Sequence, residues 1–215
     1  MMRWSSAVLV ATAVVALAAH TACIEPINAQ DGALYLGLSD GLEQTYTRSD
    51  GLSETHSYER ISDDESGEEI FERMAIYAGG FVVDDRTMTV EATATDLRIT
   101  RLHDCVTRCG ELNTPLVLFT WPIEANSTHT SQATVDLLVN NEDQGSHDED
   151  HRIAFGGEEE RSVNGTTYTG YDAVWTRTKT TDGDDDTATA RLFFVPEVGF
   201  VSIEGFDDGV TLELD

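Results

Sequence analysis

Positive charge is scarce in this sequence. Lys179 is the only lysine, and Lys plus Arg total 13 against 40 Asp and Glu, a formal net charge of −27. That argues against nucleic acid as a partner, because phosphate binding needs a positive footprint. It also argues against docking on an anionic membrane surface through basic side chains. Long apolar runs are lacking beyond the N-terminus, so nothing later reaches the ~20 residues that span a bilayer. Catalytic signatures are missing as well. There is no Gly-x-Ser-x-Gly, no phosphate-binding Gly-Lys-Ser/Thr and no dinucleotide fingerprint. His56, His103, His129, His147 and His151 lie in polar stretches or at strand ends without a serine context. With so many acids, close carboxylate pairs arise by chance, and a glycosidase assignment would be empty. The sequence therefore reads as a non-catalytic protein without a cofactor. The acidic, lysine-poor composition fits either a salt-rich habitat or the codon bias of a GC-rich genome.

What is present begins with an export signal. Arg3 supplies a positive n-region, and Ala7 to Ala19 form an uncharged apolar stretch too short to span a bilayer. Thr21 and Ala22 before Cys23 resemble a bacterial lipobox, in which the signal is cut before a cysteine that carries a diacylglycerol; His20 departs from the usual aliphatic residue. Residues 1–22 are thus expected to be removed and Cys23 to anchor the chain in the cell envelope. Cleavage near Ala18 or Ala29 is the alternative and would release a secreted or periplasmic protein.

If Cys23 is lipidated, Cys105 and Cys109 remain as an even pair. In an oxidising compartment they are expected to form a small disulfide across a turn. Metal readings are weaker. His103, Cys105 and Cys109 offer three soft ligands without a fourth. His147 and His151 are four apart, a zinc spacing only on a helix. Asp182 to Asp186 alternate carboxylates like a calcium loop, but Thr187 and Phe193 stand where glycine and a bidentate acid are needed. No metal is assigned.

Residues 23–32 read as a tether, with Pro, Gly and amides but no periodicity. From 33 to 215 the pattern is period two. Met88, Val90, Ala92 and Ala94 share a face; Leu97 and Ile99 fall on the opposite phase, which predicts a turn or bulge near Thr95–Asp96. Ala133–Val139, Tyr168–Thr178, Thr187–Val195, Gly199–Phe206 and Val210–Leu214 are further strands. Glu68–Tyr77 fits either period and is taken as a strand. The acidic stretches 62–69, 140–151 and 182–186 read as solvated hairpin tips. The predicted fold is all-β: one domain, a single large antiparallel sheet of roughly ten strands curled into a barrel or half-barrel, with at most one short helix.

The second half of the chain carries Pro115-Leu-Val-Leu-Phe-Thr-Trp-Pro-Ile, Asn164-Gly-Thr-Thr-Tyr-Thr-Gly-Tyr-Asp-Ala-Val-Trp and Phe194-Val-Pro-Glu-Val-Gly-Phe-Val. It resembles uncharacterised bacterial envelope lipoproteins with an antiparallel β-sheet domain, in which this last turn recurs. The resemblance implies fold and envelope location and brings no catalytic residue. Two functions follow as expectations: an envelope-anchored binding or structural module, or a carrier holding an apolar ligand in a concave cavity lined by Trp121, Tyr171, Trp175 and Phe193.

Overall fold

The computed structural model describes residues 29–63, 69–77, 81–82, 87–102, 108–140, 142–205 and 209–215. A short helix, α1 (Ala29–Tyr35), is followed by strands β1 (Leu42–Arg48), β2 (Ser53–Asp63), β3 (Glu69–Tyr77), β4 (Phe81–Val82), β5 (Met88–Ala92), β6 (Asp96–Leu102) and β7 (Arg108–Thr120). After these come β8 (Thr128–Val139), β9 (Glu142–Val163), β10 (Thr166–Thr181), β11 (Asp184–Val195), β12 (Gly199–Gly205) and β13 (Thr211–Leu214). The segment 69–77, compatible with either period, is a strand.

Local chemistry explains the meander. Asn164-Gly165 and Asp182-Gly183 each hold two successive positive φ angles, 47° and 84°, then 54° and 86°. They join β9 to β10 and β10 to β11 through two-residue turns, since Val163 pairs with Thr166 and Thr181 with Asp184. Such turns match the twist of the strands they connect. Between β5 and β6 the Thr93 hydroxyl accepts from the N–H of Thr95 and Asp96, at 3.1 and 3.0 Å. The phase change near Thr95–Asp96 is this turn.

The thirteen strands among the described residues form one antiparallel sheet, in the order β2-β1-β13-β12-β11-β10-β9-β8-β7-β6-β5-β3-β4, with an additional β2–β3 ladder. This corrects the expectation of about ten strands curled into a barrel or half-barrel: the sheet is a longer meander and is not a regular barrel. The ladder between β7 and β8 runs from Arg108↔Val139 to Leu112↔Val135 and stops. Beyond that, β7 pairs with β6 alone, through Leu116, Val117, Phe119 and Thr120, and β8 pairs with β9 alone. Pro115, which has no N–H to give a ladder, lies in this stretch of β7. Side chains bridge the gap instead. Asn113 Oδ1 accepts from the Thr134 N–H and Ser131 Oγ from the Val117 N–H, both at 2.9 Å.

The expected Cys105–Cys109 cystine falls partly outside the described residues. Cys109 is disulfide-bonded in β7, while Cys105 lies outside them. Cys23, His103, the signal at 1–22 and the first part of the tether also lie outside the described residues. The last tether residues are helical, because α1 crosses the boundary expected at 32/33. A side chain at Gly32 would collide with the Trp121 ring and with the Thr93 carbonyl. Ala33, Leu36 and Leu38 are buried in the main core. The Glu197 N–H donates to the Tyr35 carbonyl at 2.7 Å, so the turn between β11 and β12 docks on this segment.

The main core joins residues from α1 and from strands on both sides of the β7–β8 gap, among them Tyr46, Ile99, Leu116, Phe119, Phe155 and Phe194. A second, smaller cluster of Val163, Phe193, Val195 and Val201 packs on the other face of the sheet. A register shift falls between Phe193 and Phe194, both of which are fully buried.

Candidate functional site

β9 alternates His147, Glu149, His151, Ile153 and Phe155 on its inner face, and all five are buried. The strand thus presents a polar run followed by an apolar one. Glu149 has no exposed side-chain surface. It accepts from Arg177 of β10 through both carboxylate oxygens, Nε to Oε2 at 2.7 Å and Nη2 to Oε1 at 2.5 Å. His147 Nε2 lies 3.0 Å from Oε1, and His151 Nε2 lies 3.2 Å from Oε2. Burial opposes the charge of Glu149, but the Arg177 and His151 hydrogen bonds outweigh it and hold the carboxyl well below the ordinary range. For His147 burial dominates, and its pKa is lowered despite the bond to Glu149.

A second cluster of the same chemistry lies on β1 and β2. Glu54 Oε1 sits 2.9 Å from His56 Nε2, and Arg48 Nη1 donates to Glu54 Oε2 at 2.9 Å. Arg48 also pairs with Asp50 at 2.7 Å. The His56 ring packs on Tyr46 at 4.6 Å between centroids. The Tyr46 hydroxyl donates to the Phe200 carbonyl at 2.8 Å.

Between the two clusters is an interior cavity of about 130 Å³. Its wall is mostly apolar, with Val90, Ile99, Leu118, Leu192, Phe194 and Ile203. Gln44, Tyr46, His56, His151, Trp175 and Arg177 add polar groups. A second, polar recess of about 300 Å³ lies at the β7–β8 gap, lined by Asn113, Thr114, Gln132, Thr134, Asp148, Glu149 and Asp150 among others.

The structure separates the four residues expected to line a cavity. Trp175 lines it, with its ring 5.4 Å from that of His151. Trp121 is buried against Tyr35 and Phe119, at 6.4 Å from each. Tyr171 is half-buried against the main core. Phe193 belongs to the cluster on the other face, under Arg161 at 4.4 Å; its neighbour Phe194 takes the cavity position. The segment 140–151 is mostly strand, and the stretch from His147 to His151 is not a solvated tip. The exposed turn at Asp182-Gly183 leads directly into β11. Among the described residues no group of His, Cys, Asp and Glu is arranged to hold a metal ion. The residues that sequence reasoning passes over are Glu149 and Arg177, and it reads His151 only as a zinc candidate with His147. Their signal is a His-x-Glu-x-His alternation running into Ile153 and Phe155.

No family model and no curated protein matches the chain. Solved structures match its fold. A candidate exported protein of Bacteroides fragilis with a YmcC-like fold superposes with a TM-score of 0.54 at 11% identity, over 82% of this chain and 94% of that one. The fold matches a YmcC-like fold. A candidate lipoprotein of Parabacteroides distasonis superposes with a TM-score of 0.53 at 13% identity, again over 82% of this chain and 94% of the other. The resemblance to uncharacterised envelope lipoproteins therefore holds at the level of the fold. At such identities the match carries architecture and no residue roles.

Proposed function

We propose that the protein is a non-catalytic binding module of the bacterial envelope, anchored through a lipid on Cys23, whose ligand occupies the interior cavity. The export reading rests on the n-region, short apolar stretch and Thr-Ala-Cys of the N-terminus. The matched structures, one described as an exported protein and the other as a lipoprotein, support it. The observation that carries the binding reading is the cavity itself. Native cores are close-packed, and voids larger than a water are few. A space of about 130 Å³ walled by Val90, Ile99, Leu192 and Phe194 is unusual in that light. It approaches the ~150 Å³ apolar cavity that takes up benzene. A ligand with a compact apolar body therefore fits, as the carrier alternative requires.

The test is a titration of the purified protein with toluene, followed by methyl NMR. Resonances of Val90, Leu192 and Ile203 are expected to shift saturably, and Val90→Phe, which fills the space, is expected to abolish the response while circular dichroism stays unchanged. Methyl resonances that do not move up to the solubility limit of toluene would overturn the reading.

A further inference from the structure

We infer that the cavity selects a neutral ligand bearing a hydroxyl beside its apolar body, a small alcohol or phenol, and that His151 Nδ1 accepts the hydroxyl proton. This rests on the cavity being the binding site. A carboxylate held in its charged form only accepts hydrogen bonds. In the neutral tautomer that pairs with Glu149, the His151 proton sits on Nε2, facing Oε2 at 3.2 Å. The other nitrogen, Nδ1, is then a bare lone pair. His151 is 5% exposed, and its Nδ1 is buried with no hydrogen-bond partner. A buried acceptor left unsatisfied is costly, and native structures rarely keep one without a use.

His151 lines the cavity. Two other polar residues of the lining, Gln44 and Tyr46, are already engaged. Gln44 Nε2 donates to the Val198 carbonyl at 2.8 Å, and Tyr46 donates to Phe200 and lies 3.2 Å from Gln44 Oε1. The Arg177 charge is matched by Glu149, and the Arg48 charge by Asp50 and Glu54. With its charges compensated in pairs, the lining favours a neutral ligand over an ion. An alcohol brings the missing donor and a hydrocarbon body for the wall in one molecule.

The experiment compares phenol with toluene, which match in shape and differ in the donor. Affinities are measured by NMR titration in the wild type and in His151→Phe. The phenol-to-toluene affinity ratio is expected to fall about tenfold or more in the variant, as loss of a buried hydrogen bond requires, with toluene still bound. A readout independent of the variant's folding is the ¹⁵N resonance of His151 Nδ1 in the wild type, expected to move with phenol and not with toluene. Saturable binding of both molecules with an unmoved Nδ1 resonance would overturn the inference and leave the cavity reading standing. Failure of both probes to bind would instead remove the cavity reading on which it rests.

Discussion

Replacing Arg177 by Met isolates the energetics of the inner polar cluster. The change keeps much of the side-chain volume and removes the two donors that hold Glu149, which has no exposed side-chain surface. Breaking a buried pair from one side costs about 3–5 kcal/mol. Arg177 itself is 27% exposed, which places the expected loss at the lower end. An independent bound follows from protonation. Without Arg177, burial drives the carboxyl to take a proton, and at about pH 7 that costs about 1.36 × (7 − 4.5), or roughly 3.4 kcal/mol, from an ordinary carboxyl value of 4.5. The two routes agree on about 3 kcal/mol. For a domain of this size each kcal/mol moves Tm by about 2–4 °C, so a fall of about 6–12 °C is expected in a thermal melt at neutral pH. Pairing the change with Glu149→Gln should recover much of the loss, because the buried charge disappears with its partner. A fall of less than about 2 °C in Arg177→Met would refute the argument that Glu149 depends on this pair.

Acid should destabilise the fold in two stages. His147 is held below its ordinary 6.5, so its contribution is present above that pH and fades as pH falls below it; that of Glu149 is present above 4.5 and is lost as pH falls further. Denaturation midpoints against pH read both, and a midpoint that rises from about pH 7 to pH 5 would contradict the first stage. The net charge of −27 predicts higher melting temperatures with added salt. NaCl and CaCl₂ at matched ionic strength should act equally, and a much larger calcium shift abolished by replacing Asp184 and Asp186 with Asn would instead reveal a specific site. Mass spectrometry of membrane-fraction protein should find a diacylglycerol on an N-terminal Cys23; an unmodified chain beginning elsewhere would remove the anchor.

The strand pattern was legible wherever threonine and β-branched residues alternate, as in Thr166–Thr181, and wherever a positive-φ dipeptide such as Asp182-Gly183 stands between two runs. The inner cluster was hidden by its own surroundings. His147, Glu149 and His151 alternate with Asp148, Asp150 and Arg152, so average polarity reads as a solvated tip although one face is buried. The break between β7 and β8 depends on where Pro115 falls in the register, which composition does not reveal. Phe193 and Phe194 are adjacent and equally buried, and only the local register shift decides which of them faces the cavity.

The pairing of β1 with β13 joins Tyr46 to Leu214 and Arg48 to Leu212. These residues are more than 160 positions apart in a chain that emerges N-terminus first. Until Thr211–Leu214 arrive, β1 has only β2 beside it, and β12 has only β11. Two strand edges therefore stay open until then, each able to recruit a foreign strand. Non-local closure of this kind is slow, so the exposed interval is set by the last four-residue strand to appear. Aggregation during folding should consequently respond more sharply to changes at Thr211–Leu214 than the small area of that strand would suggest.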